Sequence, residues 1–353
     1  MGLILTQEVI YLENIVFMIE KLIPDHIDVV KRRYNILKTV QIFQPVGRRM
    51  LASHMNITER TVRSDIEKLA EEELVSVSKL GISITDKGEN LISELYETFK
   101  DYNGISDLEK KVENILGIKK VHIVQGDFDH NKAIKSEIGK TAGKVLMNIV
   151  NENSIIAITG GTTVASIVDG IPYYNSKKAC MVVPARGSVR ERIELQSDSL
   201  SAKLAEKLCA EYRLLSIPDT ISSRALTEVM NEPSIRKTIS RINKADVLVL
   251  GLGEALEMAK KRRVSKEVYE ILENKEAIAE AFGCYFNKNG EIVYELNPAG
   301  LNFEDLKRIP FVIGATAGKK KALGIMAVSK NLPNMTIVID EGTAKEILRL
   351  SKD

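Results

Sequence analysis

A chain of 353 residues with 44% hydrophobic and 28% charged side chains has globular composition, and at about 100 to 200 residues per domain it is long enough for two or three packed domains. Its 50 Lys and Arg stand against 48 Asp and Glu, a formal charge of +2 that excludes a polyelectrolyte and leaves any nucleic-acid contact to a local basic face. The three cysteines and four histidines are scattered without disulfide-framework or zinc-ligand spacing, so no metal, no cofactor, no catalytic centre and a cytoplasmic setting are expected.

The first residues mix acidic side chains into an apolar run, which fits neither a signal peptide nor a membrane span, and no membrane partner is expected. Leu12, Ile15, Ile19 and Leu22 share a helical face up to Pro24, to be packed on its own domain or against a second chain. A second helix is predicted over residues 25–43, where Ile27, Val30, Tyr34, Leu37 and Val40 keep the helical period until Pro45 breaks it.

Residues 47–55 then read as a short helix, 56–58 as a turn and 59–69 as another helix. Thr58 is placed to cap the latter by accepting a bond from a first-turn amide. Val62, Ile66 and Leu69 face inward by the helical period, while Arg60, Arg63, Ser64 and Glu67 face out. Val75 and Val77, then Ile82 and Ile84, alternate around Lys79-Leu80-Gly81, giving a hairpin. This is the plan of a winged helix-turn-helix domain, whose second helix enters the major groove while the wing touches the backbone. The expected DNA contacts are Arg48, Thr58, Arg60, Thr61, Arg63, Ser64 and Lys68, with Lys79 on the wing. Guanidinium forks suit guanine edges and phosphate alike.

A further helix is expected from Gly88 to about residue 102, followed by a polar break at 101–106. Ile105, Leu108, Val112 and Ile115 then form a short seam, equally suited to a coiled coil between chains or to a connecting helix lying on the next domain. The expected organisation is a DNA-binding domain over 1–90, a helical linker and oligomerisation seam over 91–118, and an effector domain over 119–353.

In that last part strands alternate with helices, which predicts a parallel sheet. Strands are expected at 120–124, 154–159, 179–183, 245–250, 311–313 and 335–339, with a hairpin around 287–295. Ligands of such sheets bind beyond the carboxyl ends of the strands. Four of those ends carry glycines, hydroxyls or cations: Thr159-Gly160-Gly161-Thr162-Thr163, Pro184-Ala185-Arg186-Gly187, Gly251-Leu252-Gly253 with the basic residues 260–263, and Gly314-Ala315-Thr316-Ala317-Gly318 with Lys319, Lys320 and Lys321. Together they point to a small polyanion held at helix N-termini. The third glycine of a dinucleotide fingerprint is missing, so NAD is not expected.

The stretches GRRMLASHMNITERTVRSDIEKL, ITGGTT, VPARG, LGLGEALEMAKKRR, EAFGCYFNKNGEIV and DEGTAKEIL together resemble the SorC family of bacterial sugar-responsive transcriptional regulators. The resemblance, which spans nearly the whole chain, implies an α/β protein, a winged helix-turn-helix domain joined to a Rossmann-like domain similar in fold to sugar-phosphate isomerases. The resemblance further implies a homo-oligomeric repressor of glycolytic genes, dimer or tetramer, whose grip on operator DNA is loosened by a sugar phosphate, fructose 1,6-bisphosphate. By position, Thr162 and Thr163 would hold a phosphate with the Gly161 amide in the loop that starts at Gly160. Arg186 and Lys321 would contact phosphate oxygens, and Gln196 and Glu280 sugar hydroxyls. The family's Met-Ala-x-Arg-Arg reads Met258-Ala259-Lys260-Lys261-Arg262 here, leaving the phosphate contact open between Lys261 and Arg262, and Ala317-Gly318 replaces a glycine pair.

The rival from another class is a sugar-phosphate isomerase or deaminase, which needs a general base over the substrate carbons. Glu254 and Glu280 are the carboxylates available, without a second group at defined spacing.

Overall fold

A computed structural model describes residues 24–102, 104–187, 192–218, 221, 223–296 and 300–352. The chain divides into two compact units, one running to Asp107 and the other from Leu108 to Asp353. The seam at Leu12 to Leu22 lies outside the described residues.

In the first unit, α1 (Pro24–Phe43) leads into α2 (Arg48–Met55) and α3 (Glu59–Glu71), then strands β1 (Val75–Ser78) and β2 (Gly81–Ile84), and α4 (Asp86–Tyr102). Asn56, in the left-handed region at φ 53°, ends α2, and the Thr58 hydroxyl accepts from the Thr61 amide at 3.1 Å to start α3. The antiparallel β1–β2 hairpin gains a short third edge where Val46 bridges Ile82. Leu37, Val40, Leu51, Val62, Ile66, Leu69 and Ile82 form the core, so the helix-turn-helix and the wing close on one apolar cluster.

Two expected core positions face out: Val30 is 44% and Val77 59% exposed, while Ile36 is fully buried. The helical period named a face but not its centre. The expected boundary at residue 90 also falls inside α4, whose Ile92 and Phe99 belong to this core, with Phe99 stacked on Tyr34 at 4.4 Å between ring centres.

Helix α5 (Ile105–Leu116) lies along β3 (Lys120–Val124), the edge strand of the large sheet. Buried Glu109 accepts the Ile123 amide at 2.8 Å, and Glu113 accepts the Val121 amide at 3.0 Å and pairs with Lys120 at 2.8 Å. These carboxylates occupy amides that an edge strand would otherwise expose. Val112 and Leu116 are buried in the process, as a helix lying on its own domain requires, while Leu108 and Ile115 of the same seam are half-buried.

After β3 come α6 (Ile134–Ile149), β4 (Ile155–Ile158), α7 (Thr162–Gly170), β5 (Met181–Pro184), α8 (Ser197–Leu208), β6 (Glu211–Tyr212), α9 (Ser223–Val229) and α10 (Pro233–Ile242). The chain continues through β7 (Val247–Glu254), α11 (Ala255–Arg262), α12 (Lys266–Asn274), β8 (Ala279–Ala281), β9 (Cys284–Phe286) and β10 (Ile292–Glu295). It ends with β11 (Phe311–Ala315), α13 (Ala322–Ser329), β12 (Met335–Asp340) and α14 (Glu341–Leu350).

The parallel strands stand in the order β6-β5-β4-β7-β11-β12-β3. Ile156, Ile158, Val182, Val247, Val249, Ile313 and Val338 are buried, as strands covered on both faces require. Connections run one way from β4 and the other way from β7, so the topological switch point lies between these two neighbours. Beyond Gly251 the long β7 leaves the parallel sheet and pairs antiparallel with β8, starting a meander through β9 and β10. β6, β8 and β9 were not among the expected strands; at two or three residues each they are too short to show a period.

Candidate functional site

A cavity of about 310 Å3 opens at the switch point. The loop after β4 and the first turn of α7 supply Gly160, Gly161, Thr162 and Thr163, the end of β5 supplies Arg186, and the start of α8 supplies Gln196. Helix α11 contributes Lys261 and Arg262, β8 contributes Glu280, and the turn after β11 contributes Lys321. Every position that the sequence assigned to a ligand thus lines one cavity. Phe128, Lys135 and Phe282 line it too and were missed, while Lys320, named with the basic run after the fourth strand end, lines it as well.

The antiparallel pairing of β7 with β8 sets Glu280 opposite Gly253, and its buried carboxylate takes the Arg262 guanidinium at 2.9 Å and the Gly283 amide at 2.6 Å. Phe282 and Gly283 form the two-residue turn to β9, both with positive φ, 55° and 79°. A side chain at Gly283 would start 2.0 Å from Arg186 Nη1, so this turn closes on that guanidinium. Buried Arg186 donates to the Phe282 carbonyl and lies over the Phe282 ring at 5.3 Å.

Arg262 is therefore the buried partner of Glu280, whereas Lys261 is half-exposed and pairs with Glu257 at 3.0 Å. Lys261 holds the Glu257 carboxyl below its usual value. Lys320 pairs with Glu254 at 3.2 Å. Among the described residues the ammonium groups of Lys135 and Lys321 have no ion-pair or hydrogen-bond partner. Burial, aided by the charge of Lys261, pushes Lys135 below the usual lysine range; burial also lowers Lys321, outweighing Glu257 and Glu254. The Gly161 amide, expected to meet a phosphate, donates instead to the Leu195 carbonyl at 2.8 Å. What remains at this helix start are the first-turn amides from Thr162 on and the threonine hydroxyls.

Asp340, fully buried at the end of β12, accepts the amides of Phe128 at 3.1 Å, Gly318 at 3.0 Å and Thr343 at 3.3 Å, and the Thr343 hydroxyl. It fixes the turns after β3 and β11 that carry Phe128 and Lys321 to the cavity. Asp127 pairs with Lys319 at 2.7 Å across the same two turns, and Lys319 holds its carboxyl down to about 2.

In the first unit Arg48, Arg60, Arg63, Ser64, Lys68 and Lys79 are exposed. Arg63 is bonded to Glu67 at 3.0 Å and Lys68 to Glu71 at 2.7 Å, bonds that DNA would have to replace. The Thr58 hydroxyl lies 2.8 Å from that of Thr61, so both are part of the cap. Asp65, on the inward side of α3, is buried and takes Arg32 at 2.6 Å and Arg33 at 2.9 Å from α1.

The sugar-binding domain family matches residues 100–349 and the CggR N-terminal DNA-binding domain matches 29–99. Over 330 residues the chain is 35% identical to the "Central glycolytic genes regulator" of Bacillus subtilis, covering 94% of this chain and 97% of that one. The chain belongs to the SorC family of transcriptional regulators. A protein of the same name from Priestia megaterium is also 35% identical, over 93% of this chain and 96% of its own. Among solved structures, a SorC-family regulator from Enterococcus faecalis aligns with TM-score 0.65 at 34% identity, over 69% of this chain and 99% of that one. The full-length sorbitol operon regulator SorC from Klebsiella pneumoniae aligns with TM-score 0.65 at 18% identity, over 90% and 98%. This SorC-family chain therefore joins a winged helix-turn-helix DNA-binding domain to a sugar-binding α/β domain. Among its described residues no group of three His, Cys, Asp or Glu could hold a metal, and no helix is long and apolar enough to cross a membrane.

Proposed function

We propose that this protein represses glycolytic genes and releases its operator when a phosphorylated sugar, fructose 1,6-bisphosphate, fills the cavity at the switch point. The observation that carries the reading is the charge balance there: Lys135, Arg186, Lys261, Arg262, Lys320 and Lys321 against the lining carboxylates Glu257 and Glu280, beside the start of α7. Such a site favours an anion with several charges. Thr162 and Thr163 hold one phosphate, Arg186 and Lys321 contact phosphate oxygens, and Gln196 and Glu280 take sugar hydroxyls. The names of the two 35% identical relatives supply the genes. The protein works as a homo-oligomer and without turnover: Glu280 is held by Arg262 and Gly283, and Glu254 by Lys320, so neither carboxylate is presented as a base. Effector and operator favour different states of the oligomer, and each lowers affinity for the other by the same factor.

Titration with fructose 1,6-bisphosphate, fructose 6-phosphate and dihydroxyacetone phosphate tests this by thermal stability. A ligand specific to the folded state stabilises it by about 2.7 kcal/mol at a hundredfold excess over its Kd. The bisphosphate is expected to shift Tm most and to release DNA; a shift without release removes the regulatory reading. Thr163→Val, which deletes one hydroxyl, is expected to weaken the effector response at least tenfold and leave operator binding intact. An unchanged response moves the phosphate elsewhere.

Arg60 and Arg63, on the outer face of α3, are read as base contacts. Alanine at either is expected to cost about 1 to 3 kcal/mol of operator affinity. Gel shifts against operator and random duplex decide the role, since equal loss on both makes the arginine a phosphate contact.

A further inference from the structure

Lys135 is placed where a lysine is costly. It is the second residue of α6, so its ammonium sits at the positive end of that helix. It is half-buried, it has no carboxylate partner among the described residues, and Lys261, another cation, bears on it. Each of these disfavours the charged form of Lys135, and an anion beside it would offset them through its own charge.

The packing of two helices says where that anion would sit. A side chain on Gly139 of α6 would meet the Ser166 carbonyl of α7 at 2.2 Å, and Gly170 of α7 closes on Gly139 and Lys140. The two helices therefore touch and run in the same direction, both following parallel strands of one sheet. One turn back from the Gly139–Ser166 contact, Lys135 comes level with Thr162. The first turn of α7, with its amides, and the ammonium of Lys135 therefore address the same part of the cavity.

We infer that Lys135 is an effector-binding residue, which with Lys261 supplies the positive charge for an anionic group seated on the first turn of α7. This rests on the reading of the cavity as a sugar-phosphate site and extends it to a strand end, that of β3, to which no ligand contact was assigned. Lys321 shares the cluster, since Lys261 lies within electrostatic reach of it as well. The turn after β3 is then a ligand-sensing element, because Asp340 ties it to the turn after β11 that carries Lys321.

The test uses the full-length protein and isothermal titration with fructose 1,6-bisphosphate, fructose 6-phosphate and inorganic phosphate, comparing wild type, Lys135→Gln, Lys135→Arg and Thr163→Val. Glutamine keeps the helix and the length while removing the charge. Lys135→Gln is expected to lose about tenfold or more in affinity for the bisphosphate, as loss of a charge-assisted bond implies, with ligand-free Tm unchanged or higher and operator affinity unchanged. Lys135→Arg is expected to stay within about threefold of wild type, since the charge is what matters. If Lys135→Gln binds the bisphosphate like wild type while Thr163→Val does not, Lys135 is a solvated lysine and the inference fails alone. Equal losses in the Gln and Arg variants also overturn it, by making the role one of shape. Wild type that binds none of the three probes overturns the reading of the cavity, and this inference with it.

Discussion

Glu280→Ala is expected to lower the stability of the sugar-binding domain by about 3 to 5 kcal/mol, the usual cost of stranding one member of a buried ion pair. Its partner Arg262 is 7% exposed and Glu280 itself 4% by side chain, so water cannot replace the lost carboxylate. The Gly283 amide loses its acceptor in the same step, and with it the turn that holds Arg186 against Phe282. For a domain of this size Tm should fall by about 2 to 4 °C per kcal/mol, read by calorimetry. The effector response should disappear together with the stability.

A second substitution separates these two losses. Glu280→Leu combined with Arg262→Met removes both charges and fills the volume, a change that often restores or exceeds the stability of a buried pair. If Tm recovers and the response does not, the Arg262–Glu280 pair contributes to ligand recognition beyond its structural role. If both recover, its role is structural, and the assignment of Glu280 to a sugar hydroxyl is wrong.

How much of this could be read from the sequence depended on the range of each interaction. The Thr58 cap, the turn at Asn56 and the inward Val62, Ile66 and Leu69 are local, set within one or two helical turns, and the structure has all of them. The parallel strands were legible for a similar reason, since a strand covered on both faces must be a run of apolar residues. The residues assigned to ligand lie together because the carboxyl ends of neighbouring parallel strands share one rim. What stayed hidden was long-range or opposed the local pattern. Asp65 sits among charged residues, and nothing nearby says that Arg32 and Arg33 reach it from α1. Asp340 looks like a helix cap, which it is for Thr343, yet its bonds to Phe128 and Gly318 join segments far apart in sequence. That Arg262 and not Lys261 is buried was also invisible in a basic run; the helical phase of α11 turns Arg262 toward Glu280.

Asp65 carries the second large effect, this time on the DNA-binding domain. Burial pushes its carboxyl up, but the bonds from Arg32 and Arg33 outweigh burial and hold it below the usual aspartate value. A group whose folded pKa is depressed stabilises the fold above its unfolded pKa of about 4 and loses that contribution as pH falls through the folded value. Acid unfolding of the wild-type domain should therefore include a step below about pH 4 that is absent in Asp65→Asn. Asp65→Ala should cost about 1 to 3 kcal/mol, less than a fully buried pair because both arginines are about a third exposed. The functional consequence follows from where Asp65 stands. It is on the same helix as Arg60 and Arg63, one face carrying the proposed base contacts and the other the tie to α1. Releasing the tie lets α3 shift against α1, so operator affinity should fall more than affinity for random duplex, although Asp65 itself faces away from DNA. Equal affinity ratios in wild type and Asp65→Ala would show that the apolar cluster of Val62, Ile66 and Leu69 is enough to set the angle of α3, and that the arginine clamp adds stability alone.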